Sequence, residues 1–108
     1  MKDDKVYLSH ILGAIEQIEI YLSGTDYDSL KADNMLLDAV ARELEIIGEA
    51  ANNISEEFRK AHKNVPWHKA IGLRNKIIHE YFGLDLKILW ETCRKDLPKF
   101  KKQVEDVL

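Results

Sequence analysis

The sequence predicts an all-α protein: an antiparallel four-helix bundle with one or two short extra helices, which dimerises. Glycine and proline, the residues that break helices, number only 5 and 2 among 108 residues. Apolar residues recur at alternating spacings of three and four, which is the period of a helix with one buried face. Apolar residues make up 45% of the chain and charged residues 32%, enough for a core and a well-solvated surface. Residues 1–108 are therefore expected to form a single domain.

The first half of the chain carries two long apolar stripes. The first predicts a helix over residues 4–22, followed by a loop at residues 23–26 and a short helical turn at residues 29–33. Its members are Leu8, Ile11, Ile15, Ile18 and Leu22. The second predicts a long helix that holds Gly48, where another helix can approach closely. Its members are Leu37, Val40, Leu44, Ile47, Ala51 and Ile54.

The second half begins with a short helix and contains two longer ones. Ser55 has the residue type of an N-cap, and the short helix that it opens should reach about His62. Pro66 then starts a third long helix over residues 67–78. Residues 82–85 form a predicted turn in which Asp85 caps the last helix. Pro98 should kink or divide that last helix because it lacks a backbone N–H.

The distribution of charge is more informative than its net value of −3. Residues 1–56 hold 4 Lys and Arg against 12 Asp and Glu, whereas residues 57–102 hold 12 against 5. This asymmetry predicts an acidic face and a basic face, although bundle helices also carry charge simply to stay soluble. No apolar run approaches the ~20 residues that span a bilayer, and Cys93 has no partner for an intrachain disulfide. We therefore expect a cytoplasmic protein with no membrane association, in which Cys93 packs in the core.

Arg74 and His79 are the residues best suited to chemistry. Histidine can take a proton from a ribose 2′-OH or give one to a leaving 5′-oxygen, and arginine can hold the charge that builds on the phosphoryl oxygens. Five residues separate the two, which is an offset of about 140° on a helix. Two arrangements would bring them together: a frayed last helical turn at His79, or pairing with a symmetry mate across a dimer axis. Asn75 and Lys76 are candidates for supporting the site.

Simpler interpretations exist for each of these residues and for the other candidates. An arginine near a helix end is commonly a solvated charge, and a histidine there is commonly a C-terminal cap. His62 and His68 lack the spacing of a metal site, so we expect neither a metal nor another cofactor. Trp67 is expected in the core rather than as a platform for bases. Glu49 is expected to be structural, with alignment of Arg74 as the alternative.

The chain resembles the HepT-like branch of the HEPN superfamily along nearly its whole length. That branch carries Arg-Asn-x3-His-x-Tyr after a Pro-Trp pair, and this chain matches it at Pro66-Trp67, Arg74-Asn75, His79 and Tyr81. The helix around Gly48 and the segments 89–90 and 96–98 resemble the family in the same order. The catalytic positions show no departure from the pattern.

The resemblance implies a metal-independent endoribonuclease that acts on RNA as the toxin of a type VII-like toxin–antitoxin pair. It implies a homodimer whose two Arg and His motifs meet in a shared cleft. It also implies a minimal nucleotidyltransferase as the antitoxin, which would neutralise the toxin by transferring AMP to Tyr81. Two other classes stay open: a non-catalytic dimer that binds a nucleotide or RNA and docks a nucleotidyltransferase, and a purely structural partner protein. An intact motif argues against the second of these and does not separate cleavage from binding.

Overall fold

The computed structural model describes the backbone of residues 2–80 and 86–108, and the side chains of residues 3–73 and 86–108. Within these ranges all the regular structure is helical, which confirms the predicted all-α class. The helices are α1 (Lys2–Leu22), α2 (Tyr27–Lys31), α3 (Asn34–Asn53), α4 (Glu56–Ala61), α5 (Trp67–Glu80), α6 (Leu86–Glu91) and α7 (Leu97–Val107), with a π-helical segment (Thr92–Asp96) between the last two.

Aspartate and serine side chains set where the helices of the first half begin. Asp26 accepts a hydrogen bond from the Ser29 backbone N–H (2.8 Å) and so opens α2, two residues earlier than predicted. Asp33 was expected at the end of that turn, but it caps the next helix by accepting from the Leu36 N–H (3.0 Å). The Ser55 hydroxyl accepts from the Phe58 N–H (3.2 Å), which confirms Ser55 as the predicted N-cap of α4.

Helix α3 lies between α1 and α5, and α7 packs against α1. The apolar stripe predicted for α1 is buried at every position, and so are most members of the α3 stripe. These side chains meet in one core, to which the start of α5 and α7 contribute Trp67, Ala70, Leu97, Phe100 and Val104. None of the described helices is long and apolar enough to cross a membrane.

The last helix is divided, as predicted from Pro98. Pro98 stands in the first turn of α7 and has no N–H to donate to the preceding turn. The chain accommodates this by widening into the π-helical segment, so that the division lies before the proline rather than at it. Cys93 within this segment is buried in the core, as predicted. The predicted cap Asp85 lies outside the described residues.

A buried carboxylate joins the beginning of α1 to the α3–α4 junction. Asp4 is 3% exposed and accepts hydrogen bonds from both the backbone N–H and the hydroxyl of Ser55, each at 2.7 Å. Burial alone would raise the pKa of Asp4, but the hydrogen bonds from Ser55 outweigh burial and leave the pKa below its ordinary value. Since the same Ser55 hydroxyl caps α4, one contact orders three helices.

We expect Asp4→Ala to lower the free energy of unfolding by about 1–3 kcal/mol, because the variant leaves two partly buried Ser55 donors without their acceptor. A folded-state pKa below the unfolded value of 3.8 contributes stability above that pH, and the contribution is lost as the pH falls through the folded pKa. Urea unfolding on both sides of pH 3.8 should therefore show a smaller acid-dependent loss of stability in Asp4→Ala than in the wild type. Equal losses in both proteins would contradict this role.

Candidate functional site

Helix α5 carries four of the five predicted site residues on a described backbone. Arg74, Asn75, Lys76 and His79 occupy about the last two turns of α5, which extends to Glu80. Their side chains lie outside the described residues, and so does the whole of Tyr81. The structure therefore gives the backbone positions of four motif residues on α5, and the roles of all five residues stay predictions.

The end of α5 differs from the prediction in a way that bears on the motif. The helix was expected to end at about Ile78, with a frayed turn available to His79, whereas it continues through His79 to Glu80. No glycine or proline follows Arg74 until Gly83, so nothing in the sequence stops the helix earlier. On this unbroken helix, positions 74 and 79 are offset by about 140° and by about 7.5 Å along the axis. The interpretation that relies on fraying is wrong for this backbone.

Helical register places the two positions on different sides of α5. Arg74 follows Trp67 by seven residues, and seven residues return to nearly the same side of a helix. At Trp67 and Ala70 this side is buried in the core. The Cα of His79 lies on another side of α5. A single chain therefore presents the two motif positions in different directions.

Trp67 fixes the start of the motif helix. It is 4% exposed, and its Nε1 donates a hydrogen bond to the His62 carbonyl (3.0 Å). Its ring makes edge contacts with Phe58 and Phe100, at centroid distances of 6.1 and 6.3 Å. The prediction that Trp67 belongs to the core is confirmed. The Pro-Trp pair of the family pattern thus has a structural role here: it anchors α5 to α4 and α7.

Helix α3 packs against α5 and carries several small buried residues. Ala41, Gly48 and Ala51 are buried on α3, and the close helix approach at Gly48 stays a prediction. Glu49 is exposed, and its backbone carbonyl accepts a hydrogen bond from the Asn53 side chain (2.9 Å). Its alignment of Arg74 stays a prediction, because the Arg74 side chain lies outside the described residues.

A cavity of about 520 Å³ opens between α5 and α7, and we call it the α5–α7 groove. Its apolar lining is formed by Pro66, Ala70, Gly72, Leu73, Leu97 and Phe100, and its polar lining by Lys69, Thr92, Asp96, Lys99 and Gln103. Among the residues with described side chains, Leu73 is the last on α5 that lines the groove, and it immediately precedes Arg74. The Gln103 side chain donates to the Asn64 carbonyl (3.3 Å), which ties α7 to the turn before α5.

A second cavity of about 540 Å³ adjoins the first, and we call it the α4 concavity. It shares Pro66 and Lys69 with the α5–α7 groove. Its charged lining consists of Arg59, Lys60, Lys63, Lys69 and Glu56, together with His68. Among the described residues, the Nε of Arg59 is buried without a hydrogen-bond acceptor. The basic half of the chain therefore gathers cations around the start of the motif helix.

The remaining candidates from the sequence have structural surroundings. Burial raises the pKa of the Cys93 thiol to about 12, so it stays protonated at neutral pH. The His62 ring lies on Phe58 at a centroid distance of 4.4 Å, and His68 is exposed on the α4 concavity. Within the described ranges, no three His, Cys, Asp or Glu side chains cluster closely enough to hold a metal ion.

Sequence reasoning missed the two cavities. The charge asymmetry was the available signal, because it located the cations in the second half of the chain. It could not tell that Lys63 in the turn after α4, Lys69 on α5 and Lys99 on α7 would border two adjoining cavities. That arrangement depends on how α4, α5 and α7 pack around Trp67.

A family model described as "Ribonuclease HepT-like" matches residues 11–107. "Putative RNase TTE0752" of Caldanaerobacter subterraneus subsp. tengcongensis is 44% identical over 108 residues, which are all of this chain and 96% of that protein. "Probable ribonuclease HepT" of Thermococcus cleftensis is 39% identical over 104 residues, 96% of this chain and 94% of that one. A Methanocaldococcus jannaschii protein, "Gamma-glutamylcyclotransferase and putative RNase MJ0434", is 42% identical over 107 residues, 99% of this chain and 48% of that protein. No solved structure matches the chain.

Proposed function

The chain belongs to the ribonuclease HepT-like family, and we propose that it is an endoribonuclease that cleaves RNA without a metal ion, through Arg74 and His79. The observation that carries the proposal is the intact Arg-Asn-x3-His-x-Tyr pattern of the sequence, of which the positions from Arg74 to His79 lie on α5. Residues 1–108 would act as one catalytic domain in the cytoplasm. The match of nearly the whole chain to about half of a longer relative supports treating it as a single unit.

The chemistry assigned to the two residues is a transesterification. The ribose 2′-oxygen loses its proton and attacks the adjacent phosphorus, the bond to the 5′-oxygen breaks, and that oxygen gains a proton. The products are a 2′,3′-cyclic phosphate and a free 5′-hydroxyl. His79 would move a proton, and Arg74 would stabilise the charge on the phosphoryl oxygens, with Asn75 and Lys76 positioning the phosphate.

The unbroken α5 favours a site that two chains build together. Since positions 74 and 79 diverge by about 140° on one helix, Arg74 of one protomer would act with the His79 of the partner. A twofold axis passing beside the end of α5 would bring the same patch of both chains together. The proposed enzyme is therefore a homodimer with composite sites in a shared cleft.

Tyr81 would be the residue through which the ribonuclease activity is regulated. It follows His79 by two residues, so an AMP group joined to its hydroxyl would lie beside the cleft and add about one negative charge. That group would occupy space and repel the phosphates of RNA. We propose that a minimal nucleotidyltransferase antitoxin makes this modification and that the chain is the toxin of a type VII-like system.

A non-catalytic dimer that binds RNA and docks a nucleotidyltransferase is the alternative. The cations of the α4 concavity favour it as much as they favour cleavage, because binding a phosphate and cleaving one need the same positive charge. Surface charge alone therefore does not distinguish RNA binding from RNA cleavage. Only turnover of RNA separates the two.

The test is incubation of the purified chain with RNA in excess EDTA, followed by mass analysis of the product ends. The proposal expects cleavage that persists in EDTA and leaves 2′,3′-cyclic phosphates. Activity that EDTA abolishes and a divalent ion restores would contradict the mechanism. Tight binding of RNA without turnover, under the same conditions, would favour the non-catalytic dimer.

A further inference from the structure

From the two adjoining cavities we propose a path for the substrate, which rests on the proposed ribonuclease function. The α5–α7 groove holds one base of a single-stranded RNA, and the α4 concavity binds the phosphates that continue from it. The RNA thus follows α5 from the motif towards the start of the helix. Lys69 belongs to both cavities and stands where the base site gives way to the phosphate site.

The position of the groove relative to the motif is the first argument. Lys69 precedes Arg74 by five residues on the same helix, a separation of about 7.5 Å along the axis. Leu73 lines the groove and is the immediate neighbour of Arg74. RNA whose scissile phosphate lies at Arg74 therefore has a neighbouring nucleotide within reach of the groove.

The lining of the α5–α7 groove suits a nucleobase. The partly exposed Pro66 and Leu73 give apolar surface for the face of a base, beside the buried Leu97 and Phe100. Gln103 and Asp96 add hydrogen-bonding groups to the lining. The volume of about 520 Å³ falls in the range of sites for small ligands. Lys69 and Lys99 stand on opposite walls, where they can meet the phosphates on either side of the bound nucleotide.

The charge of the α4 concavity suits the sugar–phosphate backbone. Arg59, Lys63 and Lys69 contribute three cations beyond the exposed ion pair of Lys60 with Glu56 (3.2 Å). Lys63 and Lys69 are exposed and Arg59 is partly buried, so the positive charge of this surface is accessible to an anion. The acidic half of the chain, with 12 Asp and Glu against 4 Lys and Arg, repels RNA from other surfaces.

Two helical glycines provide a matched pair for testing the groove. A Cβ built on Gly72 or on Gly13 meets no atom of the described residues within 4 Å, so a side chain can begin at either position without a clash with them. Gly72 lines the groove, whereas Gly13 is exposed on α1. Leucine has a higher helix propensity than glycine, so Gly72→Leu and Gly13→Leu should both fold. Gly72→Leu fills the groove, and Gly13→Leu is its control.

Exposed lysines provide two further test variants and two controls. Lys69→Glu and Lys99→Glu reverse charges on the two walls of the groove, while Lys5→Glu and Lys31→Glu do the same in the acidic half of the chain. Binding is measured by fluorescence anisotropy with a labelled single-stranded RNA of about 16 nucleotides, in a His79→Ala background that prevents cleavage. Cleavage rates of the same variants are measured with His79 in place.

We expect Lys69→Glu, Lys99→Glu and Gly72→Leu each to raise the dissociation constant for RNA about tenfold, with KM rising and kcat unchanged. Each lysine reversal should also make the plot of the logarithm of the binding constant against the logarithm of the salt concentration less steep. The slope should lose about 0.7 in magnitude, because one phosphate contact is lost. The three control variants should behave as the parent chain does.

The outcomes separate this inference from the proposed function. If the wild type binds and cleaves RNA while groove and control variants bind equally well, the path is wrong and the ribonuclease stands. If the wild type neither binds nor cleaves RNA, both proposals fall. If the groove variants keep RNA affinity but lose an acidic protein partner, the surface is a protein interface and the path is again wrong.

Discussion

Arg74→Ala and His79→Ala are each expected to lower the rate of RNA cleavage by about 10²–10⁴-fold. In the proposed mechanism, the first variant loses the guanidinium that would offset charge on the phosphoryl oxygens, and the second loses the group that would transfer a proton. Toxicity on expression should disappear with the activity. The measurement is kcat/KM on a defined RNA at neutral pH, with circular dichroism to verify that each variant is folded.

Two exposed residues serve as controls for these substitutions. Arg94 lies with its guanidinium carbon 5.0 Å from the centre of the Trp90 ring, and His10 makes an edge contact with Tyr7 on α1. Arg94→Ala and His10→Ala remove the same side-chain types away from the motif, so cleavage should continue. A folded Arg74→Ala or His79→Ala chain that cleaves RNA at the wild-type rate would contradict the catalytic assignment and favour the non-catalytic dimer.

Tyr81→Phe is expected to abolish transfer of AMP to the chain while most of the ribonuclease activity remains. The substitution keeps the aromatic ring and removes only the oxygen that would accept the adenylyl group. The variant should therefore stay toxic in the presence of a cognate nucleotidyltransferase that silences the wild type. Intact-mass spectrometry after co-expression detects the modification directly, as an increment of one or more AMP groups in the wild type alone.

The other three tyrosines are the comparison set for this experiment. Tyr7 and Tyr21 pack partly against the core, and Tyr27 makes an edge contact with Trp90 at a centroid distance of 6.2 Å. Their replacement by phenylalanine should leave the AMP increment unchanged. An increment that survives Tyr81→Phe would place the modified residue elsewhere, and the other three variants would then identify it.

The helices and their caps could be predicted from the sequence because the signals that specify them are local. The 3-4 spacing of apolar residues located α1 and α3, and Ser55 marked the start of α4. The predicted start of α2 was wrong by two residues, because two aspartates near it could each serve as an N-cap. Asp33 looked like the end of a short helix, but its carboxylate caps α3, and the preceding cap is Asp26.

Contacts between distant residues were beyond such reasoning. Asp4 and Ser55 are 51 positions apart, and nothing in either local pattern predicts that a carboxylate on the first turn of α1 will be buried against the α4 cap. Pro98 predicted a break, but the local pattern does not predict that the chain before it forms a π-helical segment over Thr92–Asp96.

For the candidate site, the sequence supplied the chemistry and left the arrangement open. The residue types of Arg74 and His79 suggested cleavage of RNA, and their spacing allowed either a frayed helix or a second chain. The observed course of α5 through Glu80 removes the first possibility for this backbone. The α5–α7 groove could not be foreseen because its walls come from segments about 20 or more residues apart in the chain.

Mixing the two inactive variants tests the composite site most directly. Arg74→Ala and His79→Ala chains are denatured together, refolded and assayed for RNA cleavage, with sedimentation to establish that the product is dimeric. If Arg74 of one protomer acts with the His79 of the partner, each mixed dimer keeps one intact pair, and random mixing should restore about a quarter of the wild-type activity. A folded, dimeric mixture that remains as inactive as either variant alone would contradict the shared site.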